Sequence, residues 1–457
     1  MDLTPISLAL MILAGCPESA ESTGTGHRPD SGGLGDSGEP VDSGDSADTA
    51  DTDSAAVPDE GWDRDILSTN LVFDVSTLEA TATIEVAPAD SDVVSFEVGD
   101  LQIASVTDGA APVGFLVEGA ALHILALPRN QPITLVVYYI VAPHDNFDGW
   151  NADSNLSFLW PTFCGNLFPC HSDPSDGLAF TLSVVNVPDG VTAVYPTEIM
   201  ADSPSYMLAI AMGRHELTPL GTTTAGTTVQ VWAPPQGRAD AEAGTIYLRD
   251  AFDFYEQTYG PYTFGSVVGS VSANWGPGDY GGMEHHPFWH VGSGSMYDPD
   301  THSHEAAHGW FGNGVRIACW EDFVLSEGTT TYLSLHANEV LGNDIWADYE
   351  GYLADLCTSE ENTVALPYST CNEIDLLTDP LWSFVPYVKG AFFYRDVAGV
   401  IGEAELDEAL ASFYVAHVGG AATMVDMLDH LDAAAPDHAA EIDALADVWL
   451  RTLECPE

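Results

Sequence analysis

Residues 304–313 read His304-Glu305-Ala306-Ala307-His308-Gly309-Trp310-Phe311-Gly312-Asn313, and Trp320-Glu321-Asp322-Phe323-Val324-Leu325-Ser326-Glu327-Gly328 follows. His304 and His308 are four apart, so on a helix both imidazoles project from one face about a turn apart. Glu305, next to the first ligand, can face the attacking water without binding the metal. Glu327 arrives from a second helix as a third ligand and leaves one coordination position open, as a catalytic zinc requires. A bare His-Glu-x-x-His turns up by chance in about one chain in twenty of this length. The rest of the chain therefore has to decide what the motif means.

The chain has 457 residues, 46% hydrophobic, with 70 acidic against 10 basic side chains and a formal net charge of −60. About 400 residues remain once an atypical N-terminus is set aside, enough for two or three cores. So acidic a surface repels nucleic acid and anionic lipid, which excludes both as binding partners. It serves solubility, including in a salty medium that screens self-repulsion, or attracts cationic substrates. The basic residues are nine arginines and one lysine, Lys389.

The N-terminus reads as an export signal. Residues 3–14 form an apolar run too short to span a membrane but right for a signal core. The run ends in Leu13-Ala14-Gly15-Cys16, which resembles a bacterial lipobox, although Met1-Asp2 lacks the usual positive charge. The expectation is a signal peptide over 1–16, lipidation and membrane anchoring at Cys16, and a location outside the cytoplasm. Residues 17–58 are almost entirely Ser, Gly, Asp, Thr, Glu, Ala and Pro, a composition that buries no core and reads as a disordered acidic tether. Six cysteines remain besides Cys16, an even number that suggests disulfides in an exported protein. Local spacing favours Cys164–Cys170 and Cys357–Cys371, which leaves Cys319 with Cys455.

From 59 to 225 short β-type runs alternate with turn residues, for example at 80–86, 93–98, 133–141, 179–185 and 206–212, with Pro188-Asp189-Gly190 as a turn. This predicts an N-terminal antiparallel β domain. From 226 to 457 the texture is mixed and then helical. It predicts a helix over 241–259, a strand near 266–272, the metal helix at about 301–313 and a second helix at about 320–341. Helices at 387–401, 404–417, 423–433 and 439–453 complete the chain. The predicted class is α+β multidomain.

Further motifs make a resemblance specific. The 304–313 stretch matches the HExxHxWxGN helix of the gluzincin metallo-aminopeptidases, the family of aminopeptidase N and leukotriene hydrolase, and 320–328 matches their W-x-x-x-x-L-N-E-G with Ser for Asn. Twenty residues before His304, Gly281-Gly282-Met283-Glu284-His285 resembles G-x-M-E-N, with His285 in place of Asn. Sixty residues after Glu327, Tyr387-Val388-Lys389-Gly390 resembles Y-x-K-G and holds the only lysine. The resemblance covers about 60–457. It implies a thermolysin-like catalytic domain holding one Zn2+ per chain through His304, His308 and Glu327, with Glu305 as general base and Tyr387 donating to the oxyanion. It also implies that the backbone of Gly281, Gly282 and Met283 lies along an extended substrate, while Glu284 pairs with a free α-amino group. A mid-chain peptide would leave that buried carboxylate without its partner.

Phe168-Pro169-Cys170-His171-Ser172-Asp173-Pro174 is similar to the family's F-P-C-x-D-E-P. Counting back from it puts the first-residue pocket near Trp160, which leaves Glu284 as the main amine anchor and makes that pocket more apolar. His285, His286, His290 and His302 are expected as supporting or surface residues, Glu321 and Asp322 as helix-start carboxylates, and Phe392, Phe393 and Tyr394 as core. Most family members continue into a further helical domain over the active site, so a chain ending here implies an open cleft. The activity expected is a zinc aminopeptidase acting on peptides with a free N-terminus. The alternatives are an open-cleft endopeptidase on the same scaffold and a non-catalytic surface binding module.

Overall fold

The computed structural model describes residues 61–145, 148–159, 161–275, 281–368, 371, 373–376 and 378–456. The expected signal segment, Cys16, the 17–58 tether and Trp160 lie outside the described residues.

Alternation builds the first domain. Glu79–Val86 buries Ala80, Ala82, Ile84 and Val86, and Ile133–Ile140 buries Ile133, Leu135, Val137 and Tyr139, while the residues between them face outward. These two strands pair in a six-stranded sheet whose order is Glu198–Ser203, Leu178–Val185, Ile66–Asp74, Glu79–Val86, Ile133–Ile140, Gln102–Thr107. The sheet is not wholly antiparallel. Ile66–Asp74 runs parallel to Leu178–Val185, with Leu71 opposite Leu182. A hairpin cannot make that pairing; a long excursion through other strands does. A three-stranded and a four-stranded sheet complete the domain. The strand expected at 206–212 is instead a 3-10 turn, Ser205–Met207, followed by the short strand Ala211–Gly213. All of 203–212 is buried, so no period of two was there to identify a strand.

The second domain opens on a five-stranded sheet ordered Glu216–Thr222, Thr228–Ala233, Val267–Ala273, His290–Gly292, Gly282–Met283. The hairpin of its first two strands spans the 225/226 boundary expected from the sequence. Its edge strand is the Gly-Met of the 281–285 motif, paired antiparallel to His290–Gly292. The Met283 side chain packs in the hydrophobic core of the β domain.

Helices make up the remainder, and their ends differ from the sequence reading for local reasons. The stretch expected at 241–259 divides into Arg238–Gly244 and Leu248–Thr258. The break follows Gly244, where a Cβ would run into the Met296 carbonyl and the His302 ring. The metal helix spans Pro299–Ala307, capped by Asp298 with Pro299 in its first turn, and ends well short of 313. Beyond it the bonds tighten to three-residue spacing (Gly309 N to Ala306 O, Trp310 N to Ala307 O), and Gly312 turns the chain at φ +100°. The next helix, Phe323–Val340, is buried from Phe323 through Asn338, as expected of an element enclosed on every side. Val385–Ile401 packs across it, with Phe392, Phe393 and Tyr394 in the core. A helix at Trp346–Thr358 was not expected. It buries few residues, so its apolar period is weak. No helix among the described residues is long and apolar enough to cross a membrane.

The disulfides are Cys164–Cys170, as expected, and Cys319–Cys371 and Cys357–Cys455, which correct the two longer pairings. Tertiary contacts rather than spacing choose the partners. Glu321 accepts from the Glu373 and Ile374 amides and draws the 371 loop to Cys319. The C-terminal segment lies along 362–366 through bonds from Asn362 to the Leu453 carbonyl and from Ala365 to Leu450. Buried Lys389 joins the same two segments, donating to the Thr363 and Thr452 carbonyls at 3.1 and 3.0 Å.

Candidate metal centre and amine site

His304 lies on the last turn of the metal helix and His308 at its end, while Glu327 lies on the helix Phe323–Val340. His304 Nε2 is 3.2 Å from Glu327 Oε2, His308 Nε2 is 3.3 Å from the same oxygen, and the two imidazole nitrogens are 3.2 Å apart. These are close to the edges of a tetrahedron whose centre is about 2.0–2.1 Å from each corner, the zinc–nitrogen and zinc–oxygen distance. His308 Nδ1 points at the Phe311 carbonyl, 3.0 Å away. That ring nitrogen therefore carries the proton and turns the lone pair of Nε2 inward. The donor set and its spacing fit zinc.

Close approach explains the glycines around the donors. A Cβ on Gly312 would meet the His308 ring and the Ser326 hydroxyl, and one on Gly282 would occupy the space of the Glu305 carboxylate. Gly328 and Gly390 allow the helices bearing Glu327 and Tyr387 to touch backbone to backbone. The Tyr387 ring stacks on His304 with centroids 5.7 Å apart.

Three carboxylates converge on this centre, and their environments separate them. Burial pushes the Glu327 carboxyl up, but His308 and His304 beside it outweigh that and hold it at about 2. Burial drives Glu284 up to about 7, with His308 opposing and Glu327 adding. Burial likewise raises Glu305 well above the usual carboxylate range. Glu305 is 6% exposed and its Oε2 has no hydrogen-bond partner among the described residues. A buried carboxylate oxygen without a partner, beside three converging donors, is placed to take a proton from a water entering the cleft. Ligating atoms of Glu284, Glu305 and His308 lie within 4.8 Å of one another.

The structure thus brings His304, Glu305, His308, Glu327, Glu284 and Tyr387 together. Gly281, at φ +77°, turns the chain into the Gly282–Met283 edge strand, and Glu284 follows, 4% exposed. Two anchors not assigned from sequence hold this segment. Asn313 Nδ2 donates to the Glu284 main-chain oxygen at 2.7 Å, and the Tyr206 hydroxyl of the β domain donates to Asn313 Oδ1 at 2.8 Å. His286 Nε2 donates to the Glu305 carbonyl at 2.7 Å, while the Tyr262 hydroxyl meets His286 Nδ1 at 2.9 Å. The Glu305 carbonyl lies at the tightened end of the metal helix, where main-chain acceptors lack helical partners. Position within its motif signals Asn313; nothing local signals Tyr206.

The remaining expected supporting residues are buried and have structural contacts. His302 bonds Ser270 and the Met296 carbonyl, and His285 faces His290. Asp322 accepts from the Met424 amide.

Residues 299–449 match the model of the Peptidase family M1 domain. Over 287 residues the chain is 26% identical to leucine aminopeptidase 2-1 of Meyerozyma guilliermondii, covering 54% of this chain and 43% of that protein. It is 26% identical over 272 residues to aminopeptidase B of Rattus norvegicus, covering 54% and 41%. The chain thus spans about two fifths of the length of these curated relatives. In fold it is similar to an M1 zinc metallopeptidase from Deinococcus radiodurans, with TM-score 0.70, 18% identity, and 86% of this chain against 95% of that one. It is also similar to yeast LTA4 hydrolase solved with bestatin, with TM-score 0.72, 21% identity, and 88% against 71%.

Proposed function

We propose, on the premise that this chain is a gluzincin metallopeptidase of family M1 with zinc as its cofactor, that it hydrolyses the first peptide bond of peptides with a free amino terminus. The observation that carries the reading is Glu284, a buried carboxylate whose ligating oxygen lies within 4.8 Å of those of Glu305 and His308. An ammonium bound there sets the first residue of the substrate beside the metal and the base. A substrate blocked at its amino terminus would bury the same carboxylate without a counter-charge, which is costly.

His304, His308 and Glu327 would hold the zinc, which supplies a water of lowered pKa and polarises the scissile carbonyl. Glu305 takes the proton of the attacking water and passes it to the leaving amine; its raised affinity for protons suits that second transfer. Tyr387, stacked on His304, donates its hydroxyl to the oxyanion as charge develops there. The free edge of Gly282–Met283 offers main-chain groups to an extended substrate, as an added strand would use them.

The deciding experiment compares free and N-acetylated aminoacyl-arylamides and peptides, with and without a chelator, for the wild type, Glu305→Gln and Glu284→Ala. The reading expects free substrates to be cut, chelator and Glu305→Gln to abolish cleavage, and Glu284→Ala to remove the preference for a free amine. Equal cleavage of blocked and free peptides by the wild type would instead establish the endopeptidase alternative.

Export with lipid anchoring at Cys16 belongs to the same proposal. Its support is the pairing of all six described cysteines in disulfides, which suits an oxidising compartment. Mass spectrometry of the N-terminal peptide from cells tests it, since an unmodified Cys16 would refute the anchor.

A further inference from the structure

Tyr206 belongs to the β domain. It lies on the 3-10 turn Ser205–Met207, packs within that domain's hydrophobic core and is 6% exposed. Its hydroxyl nonetheless reaches into the catalytic domain. It donates to Asn313 Oδ1 at 2.8 Å, and Asn313, wholly buried, turns its Nδ2 onto the Glu284 carbonyl at 2.7 Å. Tyr206 therefore fixes the main chain of Glu284 by way of Asn313.

Two features argue that the hydroxyl does more than pack. A phenylalanine would fill the same volume without bringing a polar group into a buried interface, where an unmatched hydroxyl is costly. The interface is also held rigidly at this point. Arg316, three residues after Asn313 and 5% exposed, donates to the carbonyls of Ser175 and Asp202 from the β domain and Gly419 from the helical end of the chain. A Cβ on Gly177 would strike its guanidinium. The β domain is thus clamped to the 313–316 segment, and the position of the Tyr206 oxygen is fixed relative to the amine site.

We propose that Tyr206 is a positioning residue for amine recognition: through Asn313 and Glu284, the β domain sets how tightly the free amino terminus of a substrate is held. This rests on Glu284 being the amine anchor. Tyr206 acts on the substrate only through Glu284, so its contribution should appear in binding rather than in the chemical step and should vanish when Glu284 is absent.

The test uses the full zinc-loaded chain and leucine and arginine 4-nitroanilides, free and N-acetylated. Tyr206→Phe is expected to raise KM for the free substrates about fivefold, the effect of losing one hydrogen bond between neutral groups. It should leave kcat within about threefold and zinc content and melting temperature near those of the wild type. Inhibition by free L-leucine and L-arginine should weaken by the same factor as KM. In a Glu284→Ala background Tyr206→Phe should change nothing further, the non-additivity expected of coupled residues. An unchanged KM, equal losses in both backgrounds, or a fall in kcat for free and blocked substrates alike would each overturn the proposal. If wild-type selectivity for free amines disappears in Glu284→Ala but survives intact in Tyr206→Phe, Tyr206 alone is refuted. If the wild type shows no such selectivity, the aminopeptidase reading fails and Tyr206 loses its role with it.

Discussion

Gly328 and Gly390 touch across the contact between the helices Phe323–Val340 and Val385–Ile401. A Cβ on Gly328 would lie 2.8 Å from the Gly390 Cα, and one on Gly390 would lie 2.5 Å from the Gly328 Cα. Gly328 adjoins Glu327 and Gly390 lies one turn past Tyr387, so this contact sets the distance between the proposed third ligand and the proposed hydroxyl donor.

Alanine at either glycine gains up to about 1 kcal/mol in helix propensity, but forcing the two backbones apart costs about 1–3 kcal/mol or more. Gly328→Ala and Gly390→Ala should therefore lower the melting temperature by a few degrees and reduce kcat about a hundredfold, as a displacement of about 1 Å at a catalytic site does. Wild-type kcat in both variants would show that the contact does not position Tyr387.

Gly282 separates two roles at the edge strand. An alanine there would place its methyl in the space of the Glu305 carboxylate. Glu305 is not among the proposed metal ligands, so Gly282→Ala should keep its zinc and its melting temperature while losing at least about a hundredfold in kcat. Loss of zinc measured by plasma mass spectrometry would mean that the strain spreads into the ligand shell instead.

Metal removal should be felt in stability as well as activity. A ligand bound by the folded state alone stabilises it by about 4 kcal/mol when its free concentration is a thousandfold above Kd. Chelated protein should therefore melt lower than protein with added zinc, and Glu327→Gln should bind less than one zinc per chain. Identical melting curves with and without zinc would contradict the assignment of His304, His308 and Glu327.

The dependence of stability on pH has a defined sign. The Asp300 carboxyl, enclosed by Tyr349 and Ser334, is pushed up to about 7 by burial, with Asp298 adding. Its folded value lies above the ordinary 3.8, so the folded state binds the extra proton between about 4 and 7. That contribution is fully present below 4 and is lost as pH rises through 7. Asp300→Asn keeps an acceptor for Tyr349 without the charge. It should stabilise the protein at pH 8 by on the order of a few kcal/mol relative to pH 5. Melting curves of both proteins at the two pH values check this, and an equal shift at both would refute it.

The chemistry of the site is legible in sequence because its units are short. His304, Glu305 and His308 lie on consecutive turns of one helix, and Glu327 follows on the next long helix. The alternating strands Glu79–Val86 and Ile133–Ile140 are legible for the same reason, since their period is local. Where burial is continuous, as over 203–212, the period disappears and a 3-10 turn reads as a strand. The end of the metal helix at Ala307 is set by Gly312 and by the His308 contact with Phe311, which a helical pattern does not record.

The amino-acid sequence by itself singled out His304, His308, Glu327, Glu305 and Glu284 as candidates for one site and marked the passage from a β-rich to a mixed and helical half, because residue type and short spacing signal each of these. Only the tertiary structure decided which cysteines pair, where Gly328 meets Gly390, and that a tyrosine of the β domain holds Asn313 and Glu284. Those relationships join segments far apart in the chain. Nothing in the local sequence encodes which distant surface a side chain will face; the packing of whole elements does.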